Sequence, residues 1–302
     1  KTAYEIMPSL VGSEMCIRDR LHKHPWFDVI GFDVIHLSVG DWSFMSSGLH
    51  DGRVALVTGA GSGIGRSTTE RFVYEGGSVI AIDKDDESLE WVGSNEHIFP
   101  LAGDVTEDET NILAVEKAKE KFGGLHAAVF NAGVSARGDL IESDIGLFDT
   151  TMEVNVRAVA LGIRAVVPEL LKVKQDGSIA VTASTSGLRG DPDLWAYNAS
   201  KAAVINLVRA ASVDLGPKGI RINAICPGPT ETGMTERALN NIEYYEDLRR
   251  RMPLQRWGTP DEIASVISFL ISTQASIVTG AVVTADGGMS ANAGQFFPKE
   301  KS

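Results

Sequence analysis

Residues 54–65 read VALVTGAGSGIG. The first four, Val54-Ala55-Leu56-Val57, form a short continuous apolar run, the pattern of a strand buried on both faces of a parallel sheet. The run leads straight into Thr58-Gly59-Ala60-Gly61-Ser62-Gly63-Ile64-Gly65. Beyond it Ile64, Thr68 and Phe72, spaced i, i+4, i+8, predict a helix that stops at Gly76-Gly77. Glycines between a strand and a helix let the backbone approach a ligand closely, and the helix's free N–H groups and positive dipole end favour a pyrophosphate. A glycine-rich turn alone is a weak signal; its place between this strand and this helix makes it a stronger one.

The same alternation continues outward. A second strand at residues 79–82 ends at Asp83. In such a βαβ unit an acidic residue roughly 20 positions beyond the glycines accepts hydrogen bonds from the adenosine ribose hydroxyls. The same carboxylate repels a 2′-phosphate, so NAD is expected rather than NADP. Ser62, inside the turn, is not a basic residue that could hold that phosphate. Lys84, next to Asp83, is the one counter-signal, although Asp85 and Asp86 follow it. Further strands are read at residues 98–101, 125–130, 178–183, 220–225 and 282–284. Helices are read at 107–122, with Ile112, Val115 and Phe122 on its inner side, at 147–171, at 197–215 and from Pro260 to Ile271. Asn131-Ala132-Gly133 closes the fourth strand, where small residues let a cofactor lie across the strand ends at the point of reversal of a doubly wound sheet. No internal repeat or low-complexity linker interrupts residues 50–290. The fold expected is therefore α/β: one domain, a Rossmann-type doubly wound sheet of seven parallel strands with helices on both faces.

The chemistry is expected in residues 184–201, STSGLRGDPDLWAYNASK. Tyr197 and Lys201 are four apart and share a helix face. An ammonium group near a phenol favours the phenolate and brings it toward a useful acid/base range. Ser184, at the C-terminal end of the fifth strand, adds a hydroxyl that can donate and accept. Asn155, in the apolar middle of the helix at 147–171, reads either as a buried amide bonded to neighbouring backbone or as a water-holding group beside the site. Periodicity does not choose between them. The polar and aromatic segment 231–251 is suited to be a mobile lid, a role compatible with an ordinary surface helix pair.

The totals exclude several other functions. The chain has 302 residues, 43% apolar and 23% charged, with a net charge of −12. That charge argues against a nucleic-acid surface, and the basic cluster Arg249-Arg250-Arg251 reads as a solvated helix end. Cys16 and Cys226 lie far apart and suggest neither a disulfide framework nor a metal site. No apolar run approaches the ~20 residues of a bilayer span, and a reducing cytoplasm is the expected setting. Residues 1–44 lack a sustained period. Because MPSLVGSEMCIRDR at 7–20 looks like a translated adaptor or assembly scar, the natural start is expected at Met45, with a single catalytic domain over 45–302.

With Thr58-Gly59, Gly63-Ile64-Gly65, Asn131-Ala132-Gly133, Asn155, Ser184, Tyr197, Lys201 and Pro227-Gly228 in order, residues 49–289 resemble the short-chain dehydrogenase/reductase family. The resemblance implies Tyr197 as catalytic acid/base and Lys201 as the group that binds the nicotinamide ribose and lowers the tyrosine pKa. It implies Ser184 as the residue that positions the substrate oxygen and Asn155 as the holder of a relay water. For the cofactor it implies Gly59, Ser62, Gly63, Ile64 and Gly65 around the pyrophosphate, and Asp83, Asp104 and Val105 at the adenosine. Asn131, Ala132 and Gly133 are implied at the strand end, with Pro227, Gly228, Thr230 and Thr232 toward the carboxamide. Phe130 departs from the pattern, where an Asn often precedes Asn-Ala-Gly, and is expected to make that wall more apolar. The activity implied is NAD-dependent interconversion of a secondary alcohol and a ketone, with no metal. The alternatives are an NADPH-dependent 3-oxoacyl-(acyl-carrier-protein) reductase, which residues 253–258 and Asp286-Gly287-Gly288 also resemble, and a non-catalytic dinucleotide-binding scaffold or sensor. A homotetramer, or a homodimer, is expected, since the helices carry Leu161, Ile163, Val166, Val167, Val204, Leu207 and Val208, more apolar surface than one sheet face covers. Residues 138–141, 191–195 and 234–248 are expected to line the substrate pocket, whose shape the sequence does not disclose.

Overall fold

Apolar runs that alternate with amphipathic helices force each strand between two helical layers. The structure, a computed structural model, describes residues 48–173 and 177–291. The leader of residues 1–44 and the expected start at Met45 lie outside the described residues. In chain order the first half runs β1 (Val54–Thr58), α1 (Gly63–Tyr74), β2 (Ser78–Asp83), β3 (Ile98–Ala102), α2 (Asp108–Phe122) and β4 (Ala127–Phe130). The second half runs α3 (Gly146–Met152), α4 (Ala158–Leu170), β5 (Gly177–Thr182), α5 (Trp195–Leu215), β6 (Ile220–Pro227), α6 (Glu236–Leu239), α7 (Ile242–Arg249), α8 (Pro260–Ile271) and β7 (Val282–Ala285).

All seven strands are parallel, in the order β3-β2-β1-β4-β5-β6-β7. The order reverses between β1 and β4, whose registers place Val57 beside Val129. Ligands bind such sheets outside the carboxyl ends of the strands at this reversal. Successive β1 side chains go to opposite faces. Val54 and Leu56 join Ala114 and Ala118 of α2, Val166 of α4 and Val204 and Val208 of α5. Ala55 and Val57 join Phe72 of α1 and Ile263 and Ile267 of α8. Helix α8 opens with Pro260 behind a capping box in which Thr259 and Glu262 satisfy each other's backbone N–H.

Three readings of the sequence need correction. Ile112 is on the outer face of α2, 48% exposed, because the helix turns Asn111, Ala114 and Ala118 inward. The helix read as continuous over 147–171 is two helices joined by a π turn at Glu153–Arg157, which contains Asn155. Val166, Val204 and Val208 are fully buried within the subunit's own core, so they add nothing to an oligomer surface. Phe130 is 3% exposed, and its ring fills the space beside Gly162 of α4. It packs in the core at the end of β4.

Candidate active site

The glycine-rich turn is shaped by contacts that no side chain would permit. Gly59 and Gly63 hold left-handed backbone, with φ of 66° and 50°. A Cβ on Gly65 would lie 2.0 Å from the Gly59 carbonyl oxygen. Ser62, the residue before α1, makes no side-chain cap, so the first amides of the helix keep their donors for another acceptor. Asn131 secures the turn from below: its Nδ2 donates to the Thr58 carbonyl at 3.2 Å, and its Oδ1 accepts from Thr182 Oγ1 at 3.2 Å. The amides of Asn131 and Ala132 both reach Thr58 Oγ1 at 3.0 Å. A Cβ on Gly133 would lie 3.1 Å from Asn155 Oδ1 and 3.4 Å from Lys201 Nζ, which puts this strand end against the expected catalytic groups.

Asp83 ends β2 beside the turn. Its Oδ2 accepts from the Gly61 amide at 2.9 Å and its Oδ1 from the Asp85 amide at 3.2 Å. Lys84 points elsewhere, to Asp104 Oδ2 at 2.6 Å. That bond, together with the Thr106 amide, holds the Asp104 carboxyl down at about 2. The neighbouring Val105 gives its carbonyl to Asn111 Nδ2 at 2.9 Å. On the opposite side of the turn, a Cβ on Gly63 would lie 3.3 Å from Thr232 Cγ2, so Thr232 approaches the glycines from the segment after β6. Thr232 is followed by a short 3-10 turn in which Thr235 Oγ1 donates to the Thr230 carbonyl at 2.6 Å. Pro227 is the last residue of β6, and the Gly228 amide donates to the Ala285 carbonyl at 3.1 Å. A free helix start, glycines that bring backbone close and a carboxylate at the end of β2 together fit a dinucleotide.

Ser184, Tyr197 and Lys201 converge where β5 ends and α5 begins. Ser184 Oγ accepts from the Ser186 amide at 3.1 Å. Burial pushes the Tyr197 phenol above its ordinary value of 10.0, against the smaller downward pull of the nearby Ser184 hydroxyl. Lys201 is 4% exposed. Its Nζ donates to the Thr182 carbonyl at 2.8 Å and lies 5.7 Å from the centroid of the Tyr197 ring. Burial lowers its pKa to about 8. The i, i+4 pairing read from the sequence is therefore present, but the expected direction of the phenol shift is not. Loss of water around the phenol is the dominant influence, while the Lys201 ammonium gives one of its three N–H groups to the Thr182 carbonyl.

The Asn155 amide is almost fully used. Its Oδ1 accepts from the Val134 amide at 2.8 Å, and its Nδ2 donates to the Val134 carbonyl at 2.9 Å and to Ser200 Oγ at 3.0 Å. The side chain thus matches the reading of a buried amide bonded to backbone, and it ties the loop after β4 to α5. Sequence periodicity gave no sign of the π turn that presents it; such turns occur often at functional sites. Beside Val134 opens a cavity of about 490 Å³ walled by Ser135, Ala136, Asp144, Leu147 and Thr151; neither Ser184 nor Tyr197 lines it. The segment after Thr232 buries no residue within α6 or α7. It is held by Tyr245, stacked on Trp257 at 4.9 Å, and by Tyr244 OH, which accepts from Arg137 Nη2 at 3.3 Å. Among the described residues no His/Cys/Asp/Glu group could hold a metal, and no helix is long and apolar enough to cross a membrane.

The chain is similar to known proteins over most of its length. A family model described as enoyl-(acyl carrier protein) reductase matches residues 59–290. A 3-oxoacyl-(acyl-carrier-protein) reductase of Thermotoga maritima is 37% identical over 79% of this chain and 98% of its own. The meso-2,3-butanediol dehydrogenase of Serratia marcescens is 37% identical over 81% and 97%. Among solved structures, a short-chain dehydrogenase/reductase of Brucella melitensis superimposes with a TM-score of 0.75 at 34% identity, covering 80% of this chain and 98% of that one.

Proposed function

Since this chain belongs to the short-chain dehydrogenase/reductase family and is an oxidoreductase of alcohols and ketones, we propose that it uses NAD and works through Tyr197, Lys201, Ser184 and Asn155. The observation that carries the catalytic part is the convergence of Ser184, just after β5, with Tyr197 in the first turn of α5 and the buried Lys201 one helical turn on, its Nζ 5.7 Å from the Tyr197 ring centroid. Bound NAD supplies the hydride acceptor and, in its oxidised form, a positive charge. Ser184 spends an acceptor position on Ser186, which leaves its own proton to steady the substrate oxygen. Tyr197 takes the alcohol proton in oxidation and returns it in reduction. Lys201 holds a ribose hydroxyl, and Asn155 keeps the Val134 loop against α5, with a lone pair left for a relay water. Segment 231–251 acts as the lid.

The cofactor choice rests on Asp83, whose carboxylate ends β2 with Lys84 diverted to Asp104. An NADPH-dependent 3-oxoacyl reductase is the second reading, favoured by the Thermotoga maritima relative and opposed by that carboxylate. A panel of alcohols and ketones with NAD(H) and NADP(H), read by nicotinamide absorbance, decides between them. A chain inert with every pair would end the proposal. We also place the enzyme in the cytoplasm and expect a homotetramer or homodimer, supported by Val213 at 73% and Leu171 at 46% exposure. Monomeric mass in light scattering at micromolar concentration would refute the assembly.

A further inference from the structure

The loop between Ser184 and α5 folds back over the catalytic serine and brings a carboxylate with it. Ser186, two residues after Ser184, donates its hydroxyl to Asp191 Oδ2 at 2.5 Å. The loop is anchored on both sides. Asn198 Nδ2, one residue beyond Tyr197, donates to the Asp191 carbonyl at 3.2 Å. Asp193 turns the chain with a left-handed φ of 59°, and its carbonyl accepts from the Gly138 amide at 2.9 Å. Trp195 then stacks on Phe148 of α3, with ring centroids 5.6 Å apart. Asp191 is thereby held in place before any substrate arrives.

What this carboxylate lacks is a partner for its charge. Among the described residues no Lys, Arg or His forms an ion pair with it. Arg189, the nearest basic residue in sequence, gives its Nη1 to the Met289 carbonyl at 3.4 Å instead. Oδ2 is taken by Ser186, and Oδ1 accepts nothing from the described residues. Asn198 Oδ1, on the amide that holds Asp191, is also buried without a hydrogen-bond partner. Asp191 is only partly buried, so a donor can reach the open oxygen and form a charge-assisted hydrogen bond there. Ser186 links this carboxylate to the reacting centre, since its hydroxyl donates to Asp191 Oδ2 and its amide to Ser184 Oγ at 3.1 Å, and the Asp191 charge also pushes the Tyr197 phenol upward.

We infer that Asp191 is a specificity-determining residue whose carboxylate receives a second hydroxyl of the substrate, selecting diols and hydroxyketones over simple alcohols and over anionic substrates. The inference rests on the proposed alcohol–ketone chemistry at Tyr197. A hydroxyl on a carbon next to the reacting one donates to Asp191 while the reacting oxygen is held by Ser184 and Tyr197. A carboxylate or phosphate in that place meets like charge instead.

The test compares the wild type with Asp191→Asn, which keeps the shape and removes the charge. The probes are the vicinal butanediol and sec-butanol, which differ by one hydroxyl. The ratio of kcat/KM for the diol to that for sec-butanol is expected to fall roughly 10- to 100-fold in the variant, the scale of a hydrogen bond to a charged group. Diol binding to the NADH-loaded protein, followed by nicotinamide fluorescence, should weaken by a similar factor. An unchanged ratio with unchanged binding overturns the role of Asp191. If neither alcohol is turned over, and the diol still binds the wild type at least ten times tighter than the variant, the hydride-transfer reading fails while the Asp191 assignment stands. If the variant does not fold, the wild type alone decides: binding sec-butanol as tightly as the diol overturns the inference.

Discussion

His50, just ahead of β1, should make this protein lose stability in mild acid. The side chain is fully buried, its ring stacked on Phe72 with centroids 4.0 Å apart. Arg53 Nη1 lies 3.3 Å from Nδ1, Ser268 Oγ lies 3.0 Å from Nε2, and Ser268 in turn donates to Glu75. Glu75 Oε2 is 3.5 Å from the ring, but the contact joins a neutral imidazole to a carboxylate that also pairs with Arg71 at 2.9 Å. Burial first, and then the Arg53 charge, lower the His50 pKa from 6.5 to about 3. Because the folded pKa is the lower one, the unfolded chain takes up a proton that the folded chain refuses. The contribution is intact above pH 6.5 and is lost as the pH falls from there toward 3. Linkage at these values takes away about 2 kcal/mol between pH about 7.5 and about 5. Urea unfolding at both pH values should show that loss in the wild type, with a clearly smaller loss in His50→Gln, which cannot titrate. Equal losses in the two proteins would refute the reasoning. Should the variant not fold, an imidazole NMR titration of the wild type serves: an inflection for His50 near its ordinary value has the same force.

Tyr197→Phe should fold and bind NAD while turnover drops roughly 10²-fold or more, and near-normal turnover would end the acid/base assignment. In the cofactor-free protein the phenol should ionise only above pH 10, so ultraviolet titration of wild type minus Tyr197→Phe should show no phenolate signal below that value. Asp83→Ala should raise the Michaelis constant for NAD and lower that for NADP, and a wild type that already prefers NADP would contradict the role given to Asp83. Gly65→Ala forces a Cβ against the Gly59 carbonyl oxygen, and a melting temperature and NAD affinity equal to wild type would show that the turn is looser than described. About 1–3 kcal/mol of overpacking is expected at such a contact.

Local pattern was enough for the frame of this protein. The apolar run at 54–57, the glycines after it, Asp83 one strand later and the order Ser184, Tyr197, Lys201 all depend on residues near in sequence or on a repeating βα rhythm, and the strands and helices formed within a few residues of where that rhythm put them. Burial and partner choice could not be read in the same way, because they depend on which distant group arrives first. Ile112 and Ala114 are equally compatible with a buried face until β1 and β2 select one. Lys84 could have faced a phosphate, and Asp104, 20 residues on, claims it. Asn155 offered two readings until the loop after β4 supplied Val134 as its partner. Lys201 was expected to lower the Tyr197 pKa, but the packed helix removes water from the phenol, and that burial is the larger influence. Covalent spacing sets which groups can meet; the desolvation and competition that decide what each group does exist only once the sheet has closed around them.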